Sequence, residues 1–115
     1  MKRFSELKLK PEERKGIIAF SRRLKKALGK QLVSVQLFGS KVRGDFHKES
    51  DIDMYVLVKN KSMAVHDTVA EVAAGVWDEF DVSLSPVIYT VDEQQKNLQM
   101  HSFFFEAVQR EGIPL

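Results

Sequence analysis

Leu32-Val33-Ser34-Val35-Gln36-Leu37-Phe38-Gly39-Ser40, followed after ten residues by Asp51-Ile52-Asp53-Met54-Tyr55-Val56-Leu57-Val58, decides the reading of this 115-residue chain. The first run sets Val33, Val35 and Leu37 against Ser34 and Gln36, the alternation of a half-buried strand. Gly39-Ser40 breaks it. The second run is apolar after its two acids and reads as another strand, stopped by Lys59-Asn60-Lys61.

The acids carry the chemistry. Residues two apart on a strand point to the same side, so Asp51 and Asp53 project together while Ile52, Met54 and Val56 face a core. Paired carboxylates repel unless something positive sits between them. Mg²⁺ suits that place, because it prefers oxygen ligands and is held by one or two carboxylates plus substrate phosphates. Gly39, directly after a strand, lets the backbone turn and lets a phosphate approach without a Cβ in the way. If a helical turn starts at Ser40, its N–H groups face an anion. The Ser40 hydroxyl can then donate to a phosphate, and Lys41 or Arg43 can neutralise the remaining charge. His47, in the same loop, reads as a surface or packed histidine before a substrate contact. A phosphate cradle beside a metal site is what nucleotidyl transfer requires, since catalysis there is chiefly positioning and charge neutralisation.

Outward from this stretch, Pro11 suits the first turn of a helix, with Glu12 and Glu13 favourable to its dipole. Ile17, Phe20, Leu24 and Leu28 recur at helical spacing, and Gly29 supplies a stop. Ser62 reads as the N-cap of a second helix with Val65, Val69, Val72, Val76 and Phe80 on one face. Asp81 opens a third strand, Val82–Thr90, in which Pro86 requires a sheet edge or a bulge. A last helical region starts at Asp92-Glu93, breaks near His101-Ser102, turns Phe104, Ala107 and Val108 inward, and ends at Gly112 and Pro114. Phe103, Phe104 and Phe105 suit core and edge packing or a partner surface. The fold expected is α/β (α+β): a small mixed sheet of three or more strands with helices packed on it, in one domain over 1–115.

Composition sets limits. Hydrophobic residues at 43% and charged residues at 30% fit a globular domain. No apolar run approaches the roughly 20 residues of a membrane helix, and no signal sequence is evident, so a cytoplasmic chain is expected. Without cysteine there is no disulfide framework or thiolate metal site. Basic residues from Lys8 to Lys30 precede the first strand, and they read as a solvated helix face before a nucleic-acid surface. Direct nucleic-acid binding is not expected at a net charge of +2.

Gly39-Ser40, ten residues, then Asp51-Ile52-Asp53 resembles the signature of the DNA polymerase beta-like nucleotidyltransferase superfamily. Arg43-Gly44, Ser50-Asp51 and the ending from Ser102-Phe103-Phe104 to Leu115 resemble its minimal nucleotidyltransferases, the MNT proteins. The resemblance implies three carboxylates, two Mg²⁺ ions, and ATP or another NTP as substrate. Asp51 and Asp53 match the paired acids and metal ligands. Gly39 and Ser40 match the phosphate turn. The third acid should come from the neighbouring strand, where Asp81 is placed to serve; if the register puts Ser83 there instead, the site lacks it. The resemblance further implies a HEPN-domain partner in a toxin–antitoxin pair, with AMP transferred to a partner tyrosine. Self-association is compatible with this. The competing expectation is a nucleotidyltransferase fold that neutralises or scaffolds a partner without catalysis.

Overall fold

Glu13 opens the first helix as much as Pro11 does: its carboxylate accepts the Lys10 N–H at 2.9 Å, one turn ahead of itself. In the computed structural model, which describes residues 2–44 and 51–115, helix α1 runs Pro11–Leu28 and ends at Gly29, whose φ is +54°. It buries Ile17, Phe20 and Leu24 completely. Three of its basic residues tie it to other parts of the fold. Arg14 donates to the Phe4 and Leu7 carbonyls, Arg23 pairs with Glu79, and Lys25 reaches the Leu115 carbonyl at 3.0 Å.

Strand β1 (Leu32–Phe38) pairs antiparallel with β2 (Ile52–Val58), Leu37 opposite Met54 and Phe38 opposite Asp53. The alternation expected of β1 holds at Val35 and Leu37 and fails at Val33, which is 46% exposed. Leu32 faces Val58 while Ser34 faces Leu57, so Val33 is the extra residue of a bulge. Among the described residues between the strands lies one helical turn, α2 (Ser40–Arg43). His47 falls outside the described residues.

Helix α3 (Met63–Phe80) is capped by Ser62, whose Oγ accepts the Val65 N–H at 3.1 Å. Val65, Val69 and Val76 are buried on its inner face. Ser62→Ala should cost about 1 kcal/mol in urea unfolding at an unchanged m-value, since one N–H loses its acceptor. Strand β3 (Leu84–Thr90) then pairs parallel to β2, Asp53 beside Ser85 and Met54 beside Pro86. The strand does not begin at Asp81–Val82 as the sequence predicts. Asp81 adopts the left-handed conformation (φ 57°, ψ 39°) and closes α3, its N–H bonded to the Trp77 carbonyl. Aspartate tolerates that conformation better than most residues.

Helices α4 (Val91–Gln99) and α5 (Phe103–Glu111) flank the break expected near His101, and β4 (Ile113–Pro114) pairs antiparallel with β1. The order is β3-β2-β1-β4, a mixed sheet with Pro86 on an edge strand. α1 and α3 cover one face, over Leu37, Met54, Val56 and Val58. α4 and α5 cover the other, over Tyr55, Leu57, Val87 and Tyr89. The buried residues of α5 are Phe105 and Val108; Phe104 is 36% exposed and Phe103 is 90% exposed. Phe104 still turns its ring inward, onto Phe38, Tyr55 and Tyr89, and Phe105 joins it on the Tyr55–Tyr89 stack. Among the described residues, no helix is long and apolar enough to cross a membrane.

Candidate active site

Strand β1 ends at Phe38 and the backbone reverses at Gly39 (φ 83°, ψ −153°), a conformation essentially confined to glycine. A helical turn does start at Ser40: Val42 and Arg43 donate to the Gly39 carbonyl, and Gly44 donates to that of Ser40. The pairing of Phe38 with Asp53 lays this turn against the second acid. A Cβ added at Gly39 would lie 2.2 Å from Asp53 Oδ2 and 3.0 Å from its Cγ. Gly39 thus serves twice, by its torsion angles and by the space it leaves for a carboxylate.

Asp51 is exposed just before β2, and Asp53 is half-buried as its second residue. Ile52 and Met54 are buried on the opposite face. Burial pushes the Asp53 carboxyl above its ordinary range, the Asp51 charge pushes it the same way, and Arg43 acts against both. The donor set is therefore a pair of carboxylates close enough for the charge of Asp51 to bear on Asp53, which fits a hard divalent cation.

Lys41 and Arg43 diverge. Lys41 is 3% exposed, and its Nζ lies 3.0 Å from Glu13 Oε2 on α1. Burial raises the Glu13 carboxyl, but the Lys10 N–H and the Lys41 ammonium outweigh it and leave the pKa below its ordinary value. A lowered carboxyl stabilises the fold above its unfolded pKa, and that contribution disappears as pH falls through the folded value. Lys41→Met should therefore cost about 2 kcal/mol at pH 7. The difference from the parent should shrink by pH 3, as read from urea midpoints. Arg43 stays exposed, 3.7 Å from Glu111.

Two clefts meet the acids. One of about 360 Å³ holds Gly39, Arg43 and Asp53 beneath Phe38, Phe104 and Glu111. The other, about 670 Å³, holds Asp51, Asp81, Glu13, Trp77 and Ser83. Asp81 thus shares a cleft with Asp51. Asp53 has Ser85 beside it on β3, and the Ser83 carbonyl accepts the Ile52 N–H at 3.0 Å. Among the described residues no three acids or histidines gather as a metal-binding group. Tyr55, on the face of Asp53, is core: it packs against Tyr89 and Phe105 and its hydroxyl donates to Gln94 at 2.8 Å. Sequence reasoning missed Glu13 and Glu111. Each meets the site from a distant helix, and no local pattern announces such a contact.

A family model described as nucleotidyltransferase domain matches residues 17–108. A protein of Methanocaldococcus jannaschii, provisionally assigned by name as a protein adenylyltransferase, is 34% identical over 71 residues, covering 61% of this chain and 72% of the relative. A solved chain from a toxin–antitoxin complex with AMP-PNP superposes with a TM-score of 0.52 at 23% identity, over 91% of this chain and 72% of the other. That superposition supports the mixed-sheet fold.

Proposed function

The chain belongs to the nucleotidyltransferase domain family, and from that premise we propose that it transfers AMP from ATP to a hydroxyl of a partner protein. The observation that carries the reading is the contact between Gly39 and the Asp53 carboxylate, which joins a phosphate turn to an acid pair. In the reaction the acceptor oxygen bonds to the α-phosphorus. The bond from that phosphorus to the α–β bridging oxygen breaks, pyrophosphate leaves, and the hydroxyl proton is released.

Asp51 and Asp53 would hold Mg²⁺, which when bound neutralises phosphate charge and favours ionisation of the acceptor hydroxyl. The family pattern calls for two ions. Ser40 and the N–H groups of its turn bind the phosphates, and Arg43, open to the Asp53 cleft, adds positive charge. Asp81 is the candidate third carboxylate, a reading supported by the cleft it shares with Asp51. The relative named for protein adenylylation supports AMP as the transferred group. The toxin–antitoxin neighbour with its ATP analogue supports a paired toxin as acceptor, which we take to be a tyrosine of a cytoplasmic HEPN-domain protein.

A second reading, a partner-binding module without catalysis, draws on β3, which sets Ser85 and no acid beside Asp53. Incubation with Mg²⁺, α-labelled ATP and the protein encoded beside it separates the two. Label on a partner tyrosine, abolished by chelation, is the result expected. Partner binding without label would favour the module.

A further inference from the structure

The phosphate turn is not held by its own structure. α2 is four residues long, far below the length at which a helix is self-supporting. Glycines with positive φ bound it at both ends, Gly39 at 83° and Gly44 at 80°. What fixes its orientation must lie outside it. Val42 is buried, Lys2 Nζ donates to the Val42 carbonyl at 2.8 Å, and Lys41 is paired with Glu13.

Glu13 is the unusual partner, because its two oxygens do different work. Oε1 accepts the Lys10 N–H and closes the first turn of α1, while Oε2 accepts from Lys41 Nζ with the lysine side chain 2% exposed and the glutamate 14% exposed. An ion pair this sheltered is costly to break from one side, since a buried charge then loses part of its compensation. The carboxylate is therefore a rigid strut between the start of α1 and the residue after Ser40.

We infer that Glu13 is a positioning residue for nucleotide binding, acting through Lys41 to aim Ser40 and the leading N–H groups of α2 at the triphosphate. This rests on the reading of Gly39-Ser40 as the phosphate turn. Lys41 then serves the phosphates through the geometry of its backbone. The turn holds phosphate alike before and during transfer, so losing the strut removes uniform binding and raises KM while kcat changes little.

The test compares Glu13→Gln, Lys41→Met and Lys41→Arg with the parent, using Mg·ATP titration calorimetry, steady-state transfer, and amide hydrogen exchange of α2. Glu13→Gln keeps an acceptor for the Lys10 N–H and removes only the charge. It should weaken ATP binding and raise KM by about tenfold, with kcat within about threefold. Lys41→Met should match it, the double variant should be no worse than either alone, and Lys41→Arg should restore most of the affinity. The amides of Val42, Arg43 and Gly44 should exchange about tenfold faster, the scale of one lost charged contact, while those of α3 stay unchanged. Ser62→Ala, destabilised elsewhere, should leave KM alone. Unchanged KM and unchanged α2 exchange in Glu13→Gln would overturn the inference, as would an equal loss in Ser62→Ala. A parent that binds no Mg·ATP sinks the nucleotidyltransferase reading instead, and α2 exchange still decides whether the strut orders the turn.

Discussion

Asp51→Asn and Asp53→Asn should each lower nucleotidyl transfer at least a hundredfold, and about a thousandfold where the metal is lost outright, without unfolding the protein. An amide is a neutral ligand that cannot offset a divalent charge, so both the cation and the phosphates it bridges lose their anchor. Stability should move the other way for one of the two. The Asp53 carboxyl is raised by burial and then by Asp51, with Arg43 opposing. A carboxyl raised in the fold favours folding below its unfolded pKa, and that contribution is lost as pH rises through the folded value. At pH 7 the ionised Asp53 therefore weighs against the metal-free fold, and Asp53→Asn should melt at or above the parent temperature. The gap should narrow in acid, as Asp53 takes up its proton. Thermal melts at pH 7 and pH 4 in the presence of chelator, beside label-transfer rates with Mg²⁺, check both halves. Retained transfer in Asp53→Asn would remove the acid pair from the chemistry. A lower melting temperature at pH 7 would contradict the strain assigned to it.

Gly39→Ala is the second large effect, and it acts on fold and chemistry together. The torsion angles of Gly39, φ 83° and ψ −153°, cost a residue with a Cβ about 1–3 kcal/mol. The new methyl would also sit 2.2 Å from Asp53 Oδ2, so the turn and the carboxylate must part. A loss of about 3 kcal/mol or more is expected from denaturant midpoints, with transfer reduced about a hundredfold even at temperatures where the variant is folded. Gly44→Ala is the control. Gly44 also has positive φ, but among the described residues nothing lies within 4 Å of its would-be Cβ, so only the torsional cost of about 1–2 kcal/mol applies. Equal losses in the two variants would mean that the contact with Asp53 is immaterial.

The parts of this fold that were legible in the sequence are those whose signal is local and periodic. Ile17, Phe20 and Leu24 announce α1, the valines of α3 announce its buried face, and Ser62 and Gly29 mark helix ends by chemistry that needs no tertiary context. What escaped depends on a partner. Val33 looks like a core residue until β2 is laid beside it, because a bulge is a property of two strands. The pair Ile113–Pro114 is too short to show a period. Asp81 reads as the first residue of a strand, yet its tolerance of positive φ lets it end a helix. The site divides along the same line. Gly39, Ser40, Asp51 and Asp53 are readable because they sit close in sequence, at facing ends of two strands that pair with each other. Glu13 and Glu111 arrive from helices far along the chain, and only packing brings them in.

Trp77 is the single tryptophan of the chain. It is 52% exposed and lines the cleft that holds Asp51 and Asp81. The protein thus carries its own optical reporter at the mouth of the acid pair. Anything that fills that cleft must alter the polarity around one indole, and its emission can be followed without a dye, a label or a second fluorophore of the same kind to dilute the signal.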